Sequence, residues 1–181
     1  MNAVARPVLA DIPILETARL TLRAPQASDW PAFRDFTTSD RARFVGGPKT
    51  VPAAFEKFAG FFGHWPLRGF GRLILTDRET GAPLGHAGPL QFDDTQLPEL
   101  TWSLWSAAAE GKGYAFEAAS AINRWLFATP GWTEVRAEIH ADNHASHAIA
   151  RKLGGKVWQD APTAWMEGTT VYRFCAGGVV L

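Results

Sequence analysis

The sequence predicts a single mixed α/β domain whose sheet combines hairpins with helix-connected strands and carries helices on both faces. Three observations predict it. Strand-like and helix-like segments interleave along the chain, strands outnumber helices, and residues 71–92 show a hairpin pattern that a purely parallel sheet lacks. At 181 residues and 46% hydrophobic content, the chain can bury one substantial core.

The elements follow in order. Leu20-Thr21-Leu22-Arg23 alternates as a short strand. Ser28 offers an N-cap and Pro31 suits a first turn, which predicts a helix over 29–36. Thr50 precedes Pro52, and Phe55, Phe58, Ala59 and Phe62 recur at helical spacing, so a second helix runs to about Trp65. Gly46, Gly47 and Pro48 fall in the loop between the two. Residues 71–77 read as a strand, Glu79-Thr80-Gly81 as a turn and 83–92 as the returning strand, with Gly85 and Gly88 weakening a helical alternative. Residues 100–105 form the next strand, 113–127 an Ala-rich packed helix and 133–140 a further strand. A helix over 143–153 is closed by Gly154-Gly155, and 156–159 and 169–174 are the final strands.

Composition narrows the function classes. The 18 basic and 18 acidic residues balance, so net charge favours neither nucleic acid nor an anionic membrane as partner. The single cysteine, Cys175, excludes an internal disulfide and a thiolate cluster for metal, and fits a reducing cytoplasm. Arg6, Pro7, Asp11 and Pro13 interrupt any signal-peptide core, and no run approaches membrane-spanning length. The expectation is a soluble cytoplasmic protein. Eight tryptophans and twelve phenylalanines serve a well-filled core, an aromatic-walled pocket or a homodimer contact, which composition does not separate.

The chemistry starts at Glu110-Gly111-Lys112-Gly113-Tyr114-Ala115, between the strand at 100–105 and the Ala-rich helix. Glycines permit backbone angles and close approach that a Cβ hinders, and the helix start leaves four N–H groups unpaired. Such a turn suits a pyrophosphate at the positive end of the helix, although a bare tight turn has the same spelling. Some thirty residues on, Ala141-Asp142-Asn143-His144-Ala145-Ser146 opens a helix that ends in Lys152-Leu153-Gly154-Gly155.

Together with Glu16-Thr17-Ala18-Arg19-Leu20-Thr21-Leu22-Arg23 and Leu84-Gly85-His86-Ala87-Gly88, these blocks resemble the GNAT superfamily of N-acetyltransferases, in particular the ribosomal-protein N-terminal (alanine or serine) branch. The resemblance implies an arm over 1–15 and one acetyltransferase domain over 16–181. It implies a seven-stranded mixed sheet splayed between its fourth strand, 99–105, and its fifth, 133–140, to admit acetyl-CoA as co-substrate. The family's pyrophosphate motif falls on Glu110, Gly111, Lys112, Gly113, Tyr114 and Ala115. Its pantetheine contacts fall on the main chain of Leu104 and Trp105, with a bulge freeing those groups. Asn143 would bond the pantetheine arm or the strand-five backbone, a role that can coexist with capping its helix, and Ser146 would protonate the departing thiolate. Three positions depart from the family pattern. Glu110 replaces Gln or Arg, Ala150 stands where many members carry a tyrosine acid, and Gly155 replaces a Phe.

The implied reaction is direct transfer of acetyl to a primary amine, either a protein N-terminus or a small molecule. The amine must lose a proton to attack, and Glu99 is the first choice as general base, with a solvated strand-end carboxylate as its bland alternative. His86 is a second candidate base. Glu138 and His140 lie near the cleft. Lys112 either reaches a phosphate or is solvated. His144 and His147 have no carboxylate-rich neighbours, so no metal site is expected. The acceptor loops, roughly 40–70 and 160–170, carry Arg41, Arg43, Trp65, Arg68 and Trp165 without an acidic cluster, which disfavours a polycationic acceptor. A CoA-binding regulatory module is the alternative, supported by the Glu110 and Ala150 departures.

Overall fold

In a computed structural model, which describes residues 11–129, 131–161 and 167–176, one eight-stranded sheet organises the chain. Its strands are β1 (Leu15–Glu16), β2 (Leu20–Arg23), β3 (Leu73–Asp77), β4 (Pro83–Leu90), β5 (Glu99–Leu104), β6 (Glu134–His140), β7 (Lys156–Val157) and β8 (Thr169–Cys175). Their order across the sheet is β1-β2-β3-β4-β5-β6-β8-β7. The helices are α1 (Trp30–Thr37), α2 (Val51–Arg68), α3 (Tyr114–Ala128) and α4 (His144–Lys152). The mixed α/β class is as expected. The seven-strand count is corrected to eight because Leu15 and Glu16 pair with Leu22 and Thr21.

Alternation along β3 explains the layers. Leu73 and Leu75 face a core with Ala118, Ile122 and Leu126 of α3, whereas Ile74 faces Phe33, Phe36, Phe58 and Phe61 of α1 and α2. Helices therefore cover both faces. The second core is largely aromatic: Phe33 sits 5.2 Å from Phe61, 5.4 Å from Phe58 and 5.5 Å from Trp105, ring centre to ring centre. Rings of that size each bury about 150–250 Å².

Several boundaries shift for identifiable reasons. The cap of α1 is Asp29, not Ser28, and the Asp29 carboxylate serves Arg23 at 2.7 and 2.9 Å rather than the helix. Helix α2 starts as expected, with the Thr50 hydroxyl accepting from the Ala53 N–H, but it continues past Pro66 to Arg68. Pro66 removes only one helical donor, and the chain stops at Gly69, whose left-handed conformation closes the helix. Strand β4 ends at Leu90 because the Gln91 N–H leaves the sheet and donates to His64 Nε2 at 3.1 Å.

The functional geometry comes from the middle of the sheet. Strand β5 pairs with β4 along its whole length, from Leu90↔Glu99 to Gly85↔Leu104, without a shift of register. Strands β5 and β6 run parallel and pair only at Glu99↔Arg136. Beyond that point they diverge, so the cleft-side edge of β5 has no strand against it.

Candidate active site

The cleft between β5 and β6 opens into a cavity of about 790 Å³ that reaches across to α2. Glu99, Trp102, Ser103, Glu138, His140, Asn143 and Ser146 line it. The expected bulge in 99–105 is absent, and divergence of the strands frees the main chain instead. The Arg136 N–H donates to the Pro98 carbonyl on one side of β5, and the Trp105 N–H donates to the Leu84 carbonyl on the other. Since successive residues of a strand point their N–H and C=O groups alternately to either side, Trp102 and Leu104 present theirs to the cleft. The Leu104 main chain thus faces the cleft without a strand partner on that side. That of Trp105 does not, because its N–H is spent on Leu84 and its ring is buried in the aromatic core.

The glycine turn lies at the end of β5. Gly111 and Gly113 hold φ of 71° and 83°, the left-handed region that disfavours any Cβ. Among the described residues, no protein acceptor meets the N–H groups of residues 111–115, so several unpaired donors lie at the start of α3. Two arginines that the sequence did not single out for this role organise the turn. Arg19 donates to the Lys112 carbonyl at 2.9 Å, pairs with Glu117 at 2.6 Å and lies over the Tyr114 ring, tying the turn to the end of β2. Arg41 pairs with Glu110 at 2.6 Å, which turns the unusual acidic residue aside and neutralises it. Lys112 is exposed.

At the start of α4, Asn143 Oδ1 accepts from the Ser146 N–H at 3.2 Å, so it caps the helix, and the residue also lines the cleft. The Trp102 Nε1–H donates to Ser146 Oγ at 3.2 Å. The hydroxyl therefore accepts from the indole and keeps its own proton to donate. Ala150 is fully buried, and a Cβ at Gly155 would lie 2.7 Å from the Phe174 ring. Phe174 fills the space from the neighbouring strand, which accounts for the missing aromatic at 155.

Glu99 lies half-buried where β5 and β6 part, and its carboxyl is pushed up to about 7, chiefly by burial and then by the Glu138 charge. Arg136, the Glu138 main-chain N–H and Arg72 pull the other way. Glu138 itself is engaged by Arg136 and by the Thr169 hydroxyl at 2.8 Å. His86 differs from expectation: its Nδ1 accepts the Trp105 indole N–H at 2.9 Å, and burial holds it well below its usual value. The neutral ring then carries its proton on Nε2 and has no lone pair to offer as a base. His147 is structural, bonded to Tyr172 Oη at 3.0 Å and the His140 carbonyl at 3.2 Å, and no group of metal-ligand type assembles among the described residues.

Of the acceptor-loop residues, Arg68 lines the cavity and Trp65 belongs to the core. Arg43 stacks on Phe44, and Trp165 lies outside the described residues. Sequence reasoning missed Lys57 and Arg72, which also line the cavity. The only sequence signal for Arg72 is a charge set directly before the apolar run of β3.

The acetyltransferase (GNAT) domain family model matches residues 19–156. The chain belongs to the GNAT acetyltransferase family. An acetyltransferase from Agrobacterium tumefaciens str. C58 superposes on this GNAT domain with a TM-score of 0.84 at 34% identity, over 94% of this chain and 99% of that one. A putative ribosomal-protein-serine acetyltransferase from Vibrio cholerae gives 0.73 at 18% identity, over 93% and 99%. A ribosomal L7/L12 α-N-protein acetyltransferase solved with coenzyme A gives 0.75 at 14%, over 92% and 99%. The last two likenesses concern the fold. Among the described residues, no helix of the GNAT chain is long and apolar enough to cross a membrane.

Proposed function

We propose that the protein is a cytoplasmic N-acetyltransferase, one domain over 16–181, that moves acetyl from acetyl-CoA directly to a primary amine. Acetyl-CoA supplies an activated acyl group on a good leaving thiol. The residues fit it. The unpaired amides of 111–115 would hold the pyrophosphate, with Lys112 beside it, and the cleft-side main chain of Trp102 and Leu104 would pair with the pantetheine amides as an added strand would. Trp105 then contributes packing, and the Asn143 amide faces the same arm.

The observation that carries the reading is the cleft itself, which brings a carboxyl poised near neutrality and an indole-bonded serine to one cavity. Glu99 accepts the amine proton directly or through water, since a base with a pKa near the working pH combines ionised form with driving force. Ser146 delivers a proton to the sulfur, with Trp102 fixing the direction of its hydroxyl. Aligning amine and thioester in the cleft converts a bimolecular encounter into an effectively intramolecular one.

The regulatory-module alternative loses half its support, because Glu110 is neutralised by Arg41. Thiol release from acetyl-CoA in the presence of mixed primary amines tests the reading. Amine-dependent release with a matching acetylated product is expected. Tight acetyl-CoA binding without amine-dependent release would return the chain to a binding module.

A further inference from the structure

One end of the cavity carries more cation than the transfer of acetyl to an amine explains. Arg72 is 5% exposed, lies with its guanidinium 3.8 Å over the Phe61 ring, and lines the cavity. Its Nε has no hydrogen-bond partner, and among the described residues no carboxylate forms an ion pair with it. Guanidiniums are seldom buried unpaired, because a desolvated charge is costly unless something of opposite sign meets it. Stacking on Phe61 occupies one face and leaves the planar N–H edge to meet a partner, the geometry that suits a carboxylate.

The neighbouring cations increase the imbalance. Lys57 Nζ donates to the Val45 carbonyl at 2.7 Å and is lowered to about 8 by burial, by Arg72 and by Lys49. Arg72 itself is lowered to about 9 by burial, and His64 to about 4 by burial and by Arg72 and Arg68. Arg68 is paired with Asp94, and Glu138 with Arg136. What remains around the cavity is Lys49, Lys57 and Arg72 against Glu56 and Glu99, one positive charge in excess when Glu99 is ionised to act as base. A monoanion completes the site. A phosphate dianion would overcompensate it, and a second cationic group on the acceptor would be repelled.

We propose that the acceptor is a small amine bearing its own carboxylate, bound with that carboxylate on Arg72 and Lys57 and its amine turned toward Glu99. The inference rests on the acetyltransferase reading and narrows it to amino-acid-like acceptors, away from protein N-termini and polyamines. The anchor also serves the chemistry, because a fixed carboxylate orients the amine and shields Glu99 from the cationic wall.

The test compares acids with their carboxamides: glycine, phenylalanine, methionine and 4-aminobutyrate, each against its amide, in thiol-release kinetics. The α-amino amides have the less basic amines, so a preference for the acids runs against intrinsic availability of neutral amine. At least one acid should exceed its amide by tenfold or more in kcat/KM. Arg72→Gln should bring that ratio close to one, and Lys57→Gln, at a half-buried position, should narrow it several-fold. Titration of intrinsic tryptophan fluorescence with the same pairs reads the preference without turnover. Absence of thiol release with any amine would therefore refute the acetyltransferase reading separately. Equal handling of acids and amides by the wild-type protein, or a ratio unmoved in Lys57→Gln and in folded Arg72→Gln, would overturn the carboxylate site.

Discussion

Replacing Glu99 by Gln keeps the volume and removes both the charge and the proposed base. The carboxyl stands at about 7 in the folded protein against 4.5 when exposed, so folding favours its protonated form. Below pH 4.5 both states are protonated and nothing is lost. Between 4.5 and 7 the unfolded chain ionises first, and the folded state accumulates a penalty that stays constant above 7. That penalty amounts to roughly 2–3 kcal/mol once the open side of the cleft is allowed for. Glu99→Gln should therefore be more stable than wild type by about this amount at pH 8 and by almost nothing at pH 4.5, read by urea unfolding at both values. Activity should move oppositely, with kcat/KM down ~10²-fold or more at pH 8, the scale of a lost general base. The pH profile adds a sharper criterion. With a basic alkylamine, log kcat/KM of wild type should climb with slope two below pH 7, where base and amine both titrate, and slope one above it. The variant should show slope one throughout. An active Glu99→Gln that keeps the inflection, or a stability gain independent of pH, would refute the reasoning.

Three further outcomes follow from the geometry. Ser146→Ala should lower kcat ~10–100-fold while leaving the amine KM nearly unchanged, because the hydroxyl acts on the departing sulfur; an equal fall in rate at saturating and limiting amine, checked by steady-state kinetics, is expected, and wild-type kcat would exclude the role. Arg41→Ala should weaken acetyl-CoA binding several-fold by leaving Glu110 unpaired beside the phosphates, and adding Glu110→Gln should restore it; calorimetry on the single and double variants reads the coupling. Gly155→Ala should destabilise the fold by about 1–3 kcal/mol through collision with Phe174, with activity per folded molecule retained, as measured by denaturant midpoint and kinetics.

Element order was legible because periodicity and punctuation agree. The alternation in Leu20–Arg23, the phenylalanine spacing after Thr50 and the Gly154 stop each have a local cause. The glycine turn and the Asn143–Ser146 helix start were legible for the same reason, since capping and left-handed backbone are local chemistry. What escaped depends on distant partners. β1 exists only because β2 is beside it, and the Trp105 N–H is spent on Leu84; the end of α2 is the exception, a local stop at Gly69 masked by the Pro66 that the helix runs through. Arg41 and Arg72 gained their meaning from residues that the fold brings up from far along the chain, Glu110 and the walls of the cavity. The place of Glu99 at a strand end is visible in the sequence, but its elevated pKa comes from burial and then from Glu138 across the splay, neither of which spacing reveals.

The central claim is that acetyl-CoA enters between β5 and β6 with its phosphates on the amides of the glycine turn. Calorimetric titration of wild type and Gly111→Ala with acetyl-CoA and with CoA tests it most directly. A Cβ at 111 meets open space, so the substitution disturbs only the left-handed backbone at φ 71°. The account predicts saturable one-to-one binding of both ligands by wild type and at least tenfold weaker binding by the folded variant. Binding of equal strength in the two proteins, or none by wild type, would contradict it.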